Sequence, residues 1–500
     1  MATIQERKPV QSINLKPGAH VHLIGICGTA MASLAGLLKD RGYKVTGSDQ
    51  NVYPPMSTQL EKTGIQIKQG YKRENLALGT PEQPDLVIVG NVITRKFDES
   101  IALLESQIPF TSLPQAMGQL LIEKRHSIVV AGTHGKTTTT AMTSWVTDQL
   151  GLKPGFMIGG IPKNFAYSFR NPEGDWFVIE GDEYDTAFFD KVPKFIHYRP
   201  KSVILTSVEF DHADIYRDLD HVKEAFQTLI RLLPESGLLV TAAEDRNIES
   251  LLQSEKAQLS SGGRRVVTYG LQAGDYRASD IQALNDGTSF QVVRQGRPNV
   301  KIQTRLIGDY NVKNALACFA LLETLGFEAA AISKGIATFQ GVKRRQEIIG
   351  RPNDITIIED FAHHPTAVKQ TIDTVQARYP KSRVFSVFEP RSATSRRSVF
   401  QEEYADALGR GYAVLMPPPY DQTAIAEDQR FSSDRLLSEL KKRGVRASLC
   451  TSVDGIVAEL KAQARPGDVI LIMSNGGFGG IYAKLLSELA PLNASKAAGA

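Results

Sequence analysis

Gly132-Thr133-His134-Gly135-Lys136-Thr137-Thr138 follows an apolar run, Val129-Val130-Ala131, and precedes a helix-like stretch. These residue types in this order grip a polyphosphate. Glycines let the backbone approach phosphate oxygens, helix N-terminal N–H groups point at them, and Lys136 adds a positive charge. Thr137 is placed to put its hydroxyl on Mg²⁺. Thr133, His134 and Thr138 complete the candidate ATP cradle. The common phosphate loop keeps about four residues between its first glycine and Gly-Lys-Thr. Here only Thr133 and His134 intervene, which fits a motor or GTPase less well than another ATP-using class.

A second constellation is acidic. The apolar run 177–179 leads into Glu180-Gly181-Asp182-Glu183-Tyr184-Asp185. Carboxylates this dense repel one another unless a cation or hydrogen-bond donors neutralise them. Beside a phosphate loop the natural cation is Mg²⁺, with Glu183 as a ligand. The next strand ends in Glu209-Phe210-Asp211-His212-Ala213-Asp214. Ligands of open α/β sheets gather at strand carboxyl ends, so His212 is a candidate for a second metal ion.

Four further motifs share this placement. Gly25-Ile26-Cys27-Gly28-Thr29-Ala30-Met31 follows one strand, and Gly47-Ser48-Asp49 closes the next. With Gly25, Gly28 and Asp49 this suits a nucleotide diphosphate, although Cys27 replaces a fingerprint glycine. A ligand-free βα turn is the other reading. Asn311 in Gly308-Asp309-Tyr310-Asn311-Val312-Lys313-Asn314 can cap a helix, and Asn314, one turn in, can read an adenine edge. Lys343-Arg344-Arg345 gathers three cations, as a phosphate contact or a solvated turn. Asp360-Phe361-Ala362-His363-His364-Pro365 pairs two histidines, but adjacent residues are poorly spaced for one ion, and no further ligand is evident. Ser474-Asn475-Gly476-Gly477-Phe478-Gly479-Gly480 is a glycine turn suited to an anion or a neighbouring domain.

These motifs need a scaffold of strands alternating with helices. Apolar runs predict strands at 20–26, 44–49 and 85–90, with a helix over 29–40. A second series lies at 127–131, 177–180, 202–208, 237–241 and 265–270. A third lies at 355–359, 383–388, 412–416, 446–449 and 468–473. Such alternation is the pattern of parallel α/β sheets. Between 280 and 305 short alternating runs with glycine turns predict an antiparallel patch. Five hundred residues hold roughly three domains at about 100–200 residues each. The strand pattern puts their limits at 1–120, 121–347 and 348–500. The tails, up to Lys16 and from Pro491, read as disordered.

The net charge of +4 suits small anionic substrates, and no dense basic cluster with aromatics points to nucleic acid. Lys441-Lys442-Arg443 reads as the solvated end of a helix. Cys27, Cys318 and Cys450 lack metal-ligand spacing and read as reduced thiols of a cytoplasmic protein. The polar, charged stretch from Met1 to Pro17 lacks an apolar h-region and is not expected to be a signal peptide, and no apolar run approaches the roughly 18 residues of a membrane span. Oligomeric state is not encoded in any motif.

In combination and order, these motifs resemble the Mur ligases, ATP-dependent amide-bond ligases of bacterial peptidoglycan, from about His20 to Leu486. The resemblance implies an α/β protein of three domains: a Rossmann-like first domain for the UDP-sugar, a central P-loop-type ATPase domain, and a Rossmann-like third domain for the peptide. It implies ATP and Mg²⁺ as cofactors. Lys136 and His212 would act in catalysis. Thr137 and Glu183 would hold one Mg²⁺ and His212 a second. Asn314 would read adenine, Arg345 touch phosphate, and Asp360 bond the ribose. Gly25, Gly28 and Asp49 would hold UDP, and Arg391 a peptide carboxylate.

The first glycine turn and the paired histidines look like the branch that acts on UDP-N-acetylmuramate. Residues 51–58, 184–191, 197–200, 388–392 and 474–480 look more like the member that adds the murein tripeptide L-alanyl-γ-D-glutamyl-meso-diaminopimelate than the one that adds L-alanine. Two positions depart from the wider family. Tyr310 stands where many members have histidine, and Gln227 where later-step ligases carry a carbamylated lysine. A nicotinamide-dependent dehydrogenase would leave Gly-Lys-Thr unexplained. A phosphotransferase would leave a phosphorylated product, and a non-catalytic nucleotide sensor would not need Lys136, Thr137, Glu183 and His212 together.

Overall fold

The computed structural model describes residues 7–52 and 60–490. The first sheet has five parallel strands in the order Gln66–Gln69, Lys44–Asp49, His20–Ile24, Leu86–Val89, Phe110–Ser112. Strand order reverses beside His20–Ile24, so a crevice opens at its carboxyl end, where the helix Thr29–Asp40 begins. The strand stops at Ile24 rather than residue 26 because Gly25 turns to φ +86°.

The central sheet has ten strands. From one edge they run Val300–Thr304, Gly287–Arg294, Tyr276–Leu284, Arg265–Gly270, Leu238–Ala242, Ser202–Leu205, His126–Ala131, Trp176–Gly181, Gly155–Met157 and Phe169–Arg170. The middle of the sheet is parallel, and the Tyr276–Thr304 end is the antiparallel patch. Ser202–Leu205 ends earlier than its apolar run, because Thr206 and Ser207 turn away to bond the phosphate loop. The third sheet orders Glu347–Gly350, Thr356–Asp360, Val469–Met473, Val384–Phe388, Ala413–Met416 and Arg446–Leu449, parallel except for its first strand.

One continuous apolar core joins the first and central sheets. The helix Thr29–Asp40 lies against Phe169 so closely that a Cβ on Gly36 would stand 2.7 Å from the ring Cε2. Asn171 locks the contact, donating to Leu37 O at 2.9 Å and accepting from Arg41 Nε at 3.0 Å. Phe188 and Phe189 follow the acidic turn and pack into the opposite face of the first sheet, Phe189 edge-on to Phe110. Separate apolar layers cover the two faces of the third sheet.

The tail expected to be disordered up to Lys16 is ordered from Arg7. Its backbone pairs with the first domain, Val10 N to Phe110 O at 2.9 Å and Ile13 N to Gln119 Oε1 at 2.7 Å. Its polar composition hid these backbone partners. Residues from Pro491, and most of the 51–58 motif, lie outside the described residues. Among the described residues no helix is long and apolar enough to cross a membrane.

Candidate active site

The buried strand His126–Ala131 delivers the chain to a loop moulded by its neighbour. Gly132 sits at φ +122°, and a Cβ there would stand 2.8 Å from Ser207 N. Thr133 N donates to Ser207 O at 2.9 Å, His134 N to Ser207 Oγ at 3.0 Å, and Thr206 Oγ1 to His134 O at 2.5 Å. Gly135, at φ +81°, opens the helix Lys136–Gln149 with no side-chain cap. The first-turn N–H groups are thus left for an anion.

Lys136 Nζ donates to Gly132 O at 2.6 Å and to Glu183 Oε2 at 3.0 Å. Burial alone would lower its pKa, but Glu183 and Asp182 raise it, so the ammonium is retained. Every carboxylate of the acidic turn has a donor. Glu180 accepts from Gly159 N at 2.7 Å and from Thr137 Oγ1 at 3.2 Å. Asp182 pairs with Lys194, and Asp185 with Lys191 at 2.8 Å. Burial raises the Glu180 pKa, whereas for Asp182 the Lys194 and Lys136 charges overcome burial and lower it.

His212 occupies a left-handed conformation, φ +54°, which turns its Nε2 to within 3.6 Å of Glu183 Oε1. Burial would lower its pKa, but Glu183 and Asp211 raise it to about 9. Asp211 accepts from His212 N at 2.7 Å and from Thr394 Oγ1, of the third domain, at 2.5 Å.

Asp182, Glu183 and His212 present ligand atoms within 4.8 Å of one another. Carboxylate oxygens suit a hard divalent cation, so this donor set fits Mg²⁺. The sequence puts Thr137 and Glu183 on one ion and His212 on a second. In the structure Asp182 joins Glu183 and His212, while Thr137 hydrogen-bonds Glu180. The paired histidines also need correction, because further potential ligands do exist. His364 groups with His134 and Glu209, while His363 turns towards Asp211.

The segment between the central and third sheets closes over the phosphate loop. Arg345 Nη2 reaches Thr137 Oγ1 at 3.3 Å, and its guanidinium lies 4.7 Å from the Phe361 ring centroid. Arg344 donates to Glu359 Oε1 at 2.6 Å and to Gly476 O at 2.5 Å. The glycine turn 474–480 thus meets a neighbouring segment. Asp360 accepts from Gln346 N at 2.8 Å and Ala362 N at 2.7 Å, and burial raises its pKa. Asn311 does not cap its helix. Gly308 does, and Asn311 Nδ2 turns back to Ile307 O at 2.9 Å. Asn314 donates to Asn311 Oδ1 at 3.1 Å, with its own Oδ1 2.7 Å from where a Gly135 Cβ would stand. It therefore packs beneath the phosphate loop.

Arg391 crosses Gly476, where a Cβ would stand 2.9 Å from its Cζ, and stacks 4.0 Å from the Tyr420 ring centroid. In the first domain, Gly28 caps the helix Thr29–Asp40. Asp49 accepts from Cys27 N and Asn51 N, both at 2.9 Å, so its carboxylate shapes the Gly25–Gly28 turn. Burial and Asp49 push the Cys27 thiol up to about 11. The structure brings Gly132–Thr138, Glu183, His212, Asn314 and Arg345 into one centre. Gly25, Gly28 and Asp49 line the first-domain crevice, and Arg391 lies in the third domain. Lys194 carries no motif of its own and Thr394 acts through Asp211, 183 positions away, so neither stands out in the sequence.

Comparison with known proteins accords with this geometry. Residues 20–125 match the Mur ligase family catalytic domain, residues 130–322 the Mur ligase middle domain, and residues 344–476 the Mur ligase glutamate ligase domain. The chain is 39% identical over 476 residues to the UDP-N-acetylmuramate–L-alanyl-γ-D-glutamyl-meso-2,6-diaminoheptanedioate ligase of Escherichia coli K12, covering 94% of this chain and 98% of that protein. It is 33% identical to the UDP-N-acetylmuramate–L-alanine ligase of Clostridium tetani, covering 92% and 96%. The crystal structure of a murein peptide ligase from Psychrobacter arcticus superposes with a TM-score of 0.71 at 35% identity, covering 95% of this chain and all of that one. The chain belongs to the Mur ligase family, and is an ATP-dependent ligase that forms an amide bond.

Proposed function

We propose that this enzyme joins the murein tripeptide L-alanyl-γ-D-glutamyl-meso-diaminopimelate to UDP-N-acetylmuramate, in the cytoplasm, as a step of peptidoglycan recycling. The observation that carries the reading is the Lys136–Glu183–His212 centre beneath a third domain bearing Arg391, in a chain 39% identical to a tripeptide ligase over nearly its whole length. The L-alanine ligase remains the second reading because a relative of that name is 33% identical.

A carboxylate is a poor acyl donor because it would have to expel an oxide. An oxygen of the lactyl carboxylate therefore attacks the γ-phosphorus of ATP, and ADP leaves. The α-amine of the peptide's L-alanine then attacks the acyl phosphate carbonyl carbon. The amine loses a proton, and phosphate departs carrying one carboxylate oxygen.

The loop N–H groups and the Lys136 ammonium bind and orient the β- and γ-phosphates. Arg345 adds a second cation from the closing segment. Asn314 is assigned to adenine and Asp360 to the ribose. Asp182, Glu183 and His212 would hold Mg²⁺, with Thr137 beside the phosphates, and the ion would supply charge neutralisation there. Gly25, Gly28 and Asp49 shape the seat for UDP, and Arg391 takes a peptide carboxylate. The contacts Asp211–Thr394 and Arg344–Gly476 hold the third domain over the centre, which excludes water from the acyl phosphate. We place the domain limits at 120 and 348.

The test is phosphate release from ATP with UDP-N-acetylmuramate, comparing tripeptide with L-alanine as acceptor. Release with tripeptide, together with the mass of UDP-muramoyl-tripeptide, supports the proposal. Release with L-alanine only moves the enzyme to the other branch.

A further inference from the structure

A second group of ligating side chains includes His134 of the phosphate loop, a residue whose backbone belongs to the ATP cradle but whose imidazole was given no role in the chemistry above. His134 comes from the loop, Glu209 from the segment after Ser202–Leu205, and His364 from the start of the helix Pro365–Arg378 in the third domain. We propose that these three residues bind a borderline divalent transition-metal ion of the Zn²⁺ class, and that the ion ties the phosphate loop to the third domain. The proposal does not depend on which amine the enzyme accepts.

Spacing is the first argument. His134 Nε2 lies 3.4 Å from Glu209 Oε2, and His364 Nδ1 lies 3.6 Å from the same oxygen. Nitrogen and oxygen ligands at about 2.0–2.2 Å from a tetrahedral zinc are roughly 3.3–3.6 Å apart. The ligand atoms of all three residues fall within 4.8 Å. Both separations from the shared Glu209 oxygen thus match the spacing of ligands around one such ion.

Ring orientation is the second argument. His364 Nε2 faces Phe210 O at 3.1 Å, an acceptor only, so that nitrogen carries the proton. Nδ1 is then a lone pair that accepts from Thr366 N at 3.3 Å, with the Glu209 carboxylate 3.6 Å away, and a metal ion would take the place of that capping bond. A lone pair facing a carboxylate oxygen is repulsive until a cation stands between them. Metal-ligating histidines usually donate their other ring N–H to a carbonyl or carboxylate, as His364 does here. Thr366 Oγ1 donates to Glu209 Oε2 at 2.6 Å and orients it in the same way.

Donor chemistry is the third argument. Two imidazoles with one carboxylate select Zn²⁺ over Mg²⁺, and three protein ligands leave a fourth position open. The Asp182–Glu183–His212 set has the opposite balance, two carboxylates and one imidazole. The two centres therefore sort cations by hardness.

The test uses Co²⁺, a coloured stand-in for Zn²⁺, titrated into the full-length enzyme under saturating Mg²⁺. The expected result is one equivalent of Co²⁺ giving visible d–d bands of a four- or five-coordinate site, bleached by Zn²⁺. His364→Asn keeps a helix-capping acceptor, and Glu209→Gln keeps an acceptor for Thr366. Each should weaken Co²⁺ binding by at least roughly ten- to hundredfold. Glu183→Gln should leave the bands in place. The proposal is overturned by the absence of bands in the wild type, by their survival in both His364→Asn and Glu209→Gln, or by their loss in Glu183→Gln. The last outcome would assign the Co²⁺ to the other centre. Should His364→Asn fail to fold, Glu209→Gln decides alone.

Discussion

Lys136 Nζ stands 3.0 Å from Glu183 Oε2, so the cation proposed to grip phosphate and the carboxylate proposed to face a metal ion neutralise each other. Both are largely buried, Glu183 to 2% exposure. Under the proposed function, binding of a nucleotide requires an exchange of partners. Lys136 passes to phosphate oxygens, and Glu183 is released towards a cation. The site is thus electrostatically balanced before and after loading, which a buried charge pair demands.

Lys136→Met keeps the length of the side chain and removes its charge. Turnover should fall by about 10²–10³-fold, as when a preorganised electrostatic contact to the transition state is lost. Initial-rate phosphate release checks this. Near wild-type kcat would remove Lys136 from the reaction.

Glu183→Gln leaves the shape of the acidic turn and withdraws a charge from its cation site. The Mg²⁺ concentration for half-maximal rate should rise by at least about tenfold. An unchanged Mg²⁺ titration would mean that Glu183 is not a ligand.

Gly132→Ala places a methyl group against Ser207 N at 2.8 Å, at a φ of +122° that alanine rarely adopts. The loop must deform, so ATP turnover should fall by more than about tenfold. Isothermal titration with ADP would show the matching loss of affinity.

Arg391→Ala should raise the KM for the tripeptide by about ten- to a hundredfold, the value of a charged hydrogen bond of roughly 1.5–3 kcal/mol. The KM for UDP-N-acetylmuramate should stay within about twofold, since that substrate is assigned to the first domain. An equal rise in both would deny Arg391 a peptide-specific role.

His126 opens the strand that carries the phosphate loop. Its ring lies 2.8 Å from Ser202 Oγ and against Trp176. Burial, then Lys201 and Arg265, lower its pKa to about 4. The folded value lies below the ordinary value of about 6.5, so between these pH values the unfolded chain takes up a proton that the folded chain refuses. Stability is full above about pH 6.5 and declines as pH falls towards 4. Urea midpoints across this range should fall in the wild type, and fall less steeply in His126→Gln. Parallel curves would show that His126 does not contribute.

The parts legible in the sequence were those written contiguously. A buried strand followed by Gly-Thr-His-Gly-Lys-Thr announces its chemistry within a few residues, and apolar runs located nearly all the central strands. Gln66–Gln69, Gly155–Met157 and Phe169–Arg170, at or next to a sheet edge, escaped because strands of two to four residues are too short to show a periodic pattern. Asn311 has the residue type of a cap, but the helix begins at Asp309, and Gly308 holds the capping position. The pairing of Thr137 with Glu180, and the gathering of His134, Glu209 and His364, depend on which strands lie side by side and how the third domain closes. Those relationships span up to 230 positions in sequence and leave no local pattern.

The most direct measurement follows oxygen. UDP-N-acetylmuramate labelled with ¹⁸O in its lactyl carboxylate is turned over with ATP, Mg²⁺ and the murein tripeptide, and the released phosphate is weighed by mass spectrometry. The account predicts one ¹⁸O in each phosphate and one in the amide carbonyl of UDP-muramoyl-tripeptide. Unlabelled phosphate would contradict it, because the carboxylate would then never have attacked the γ-phosphorus.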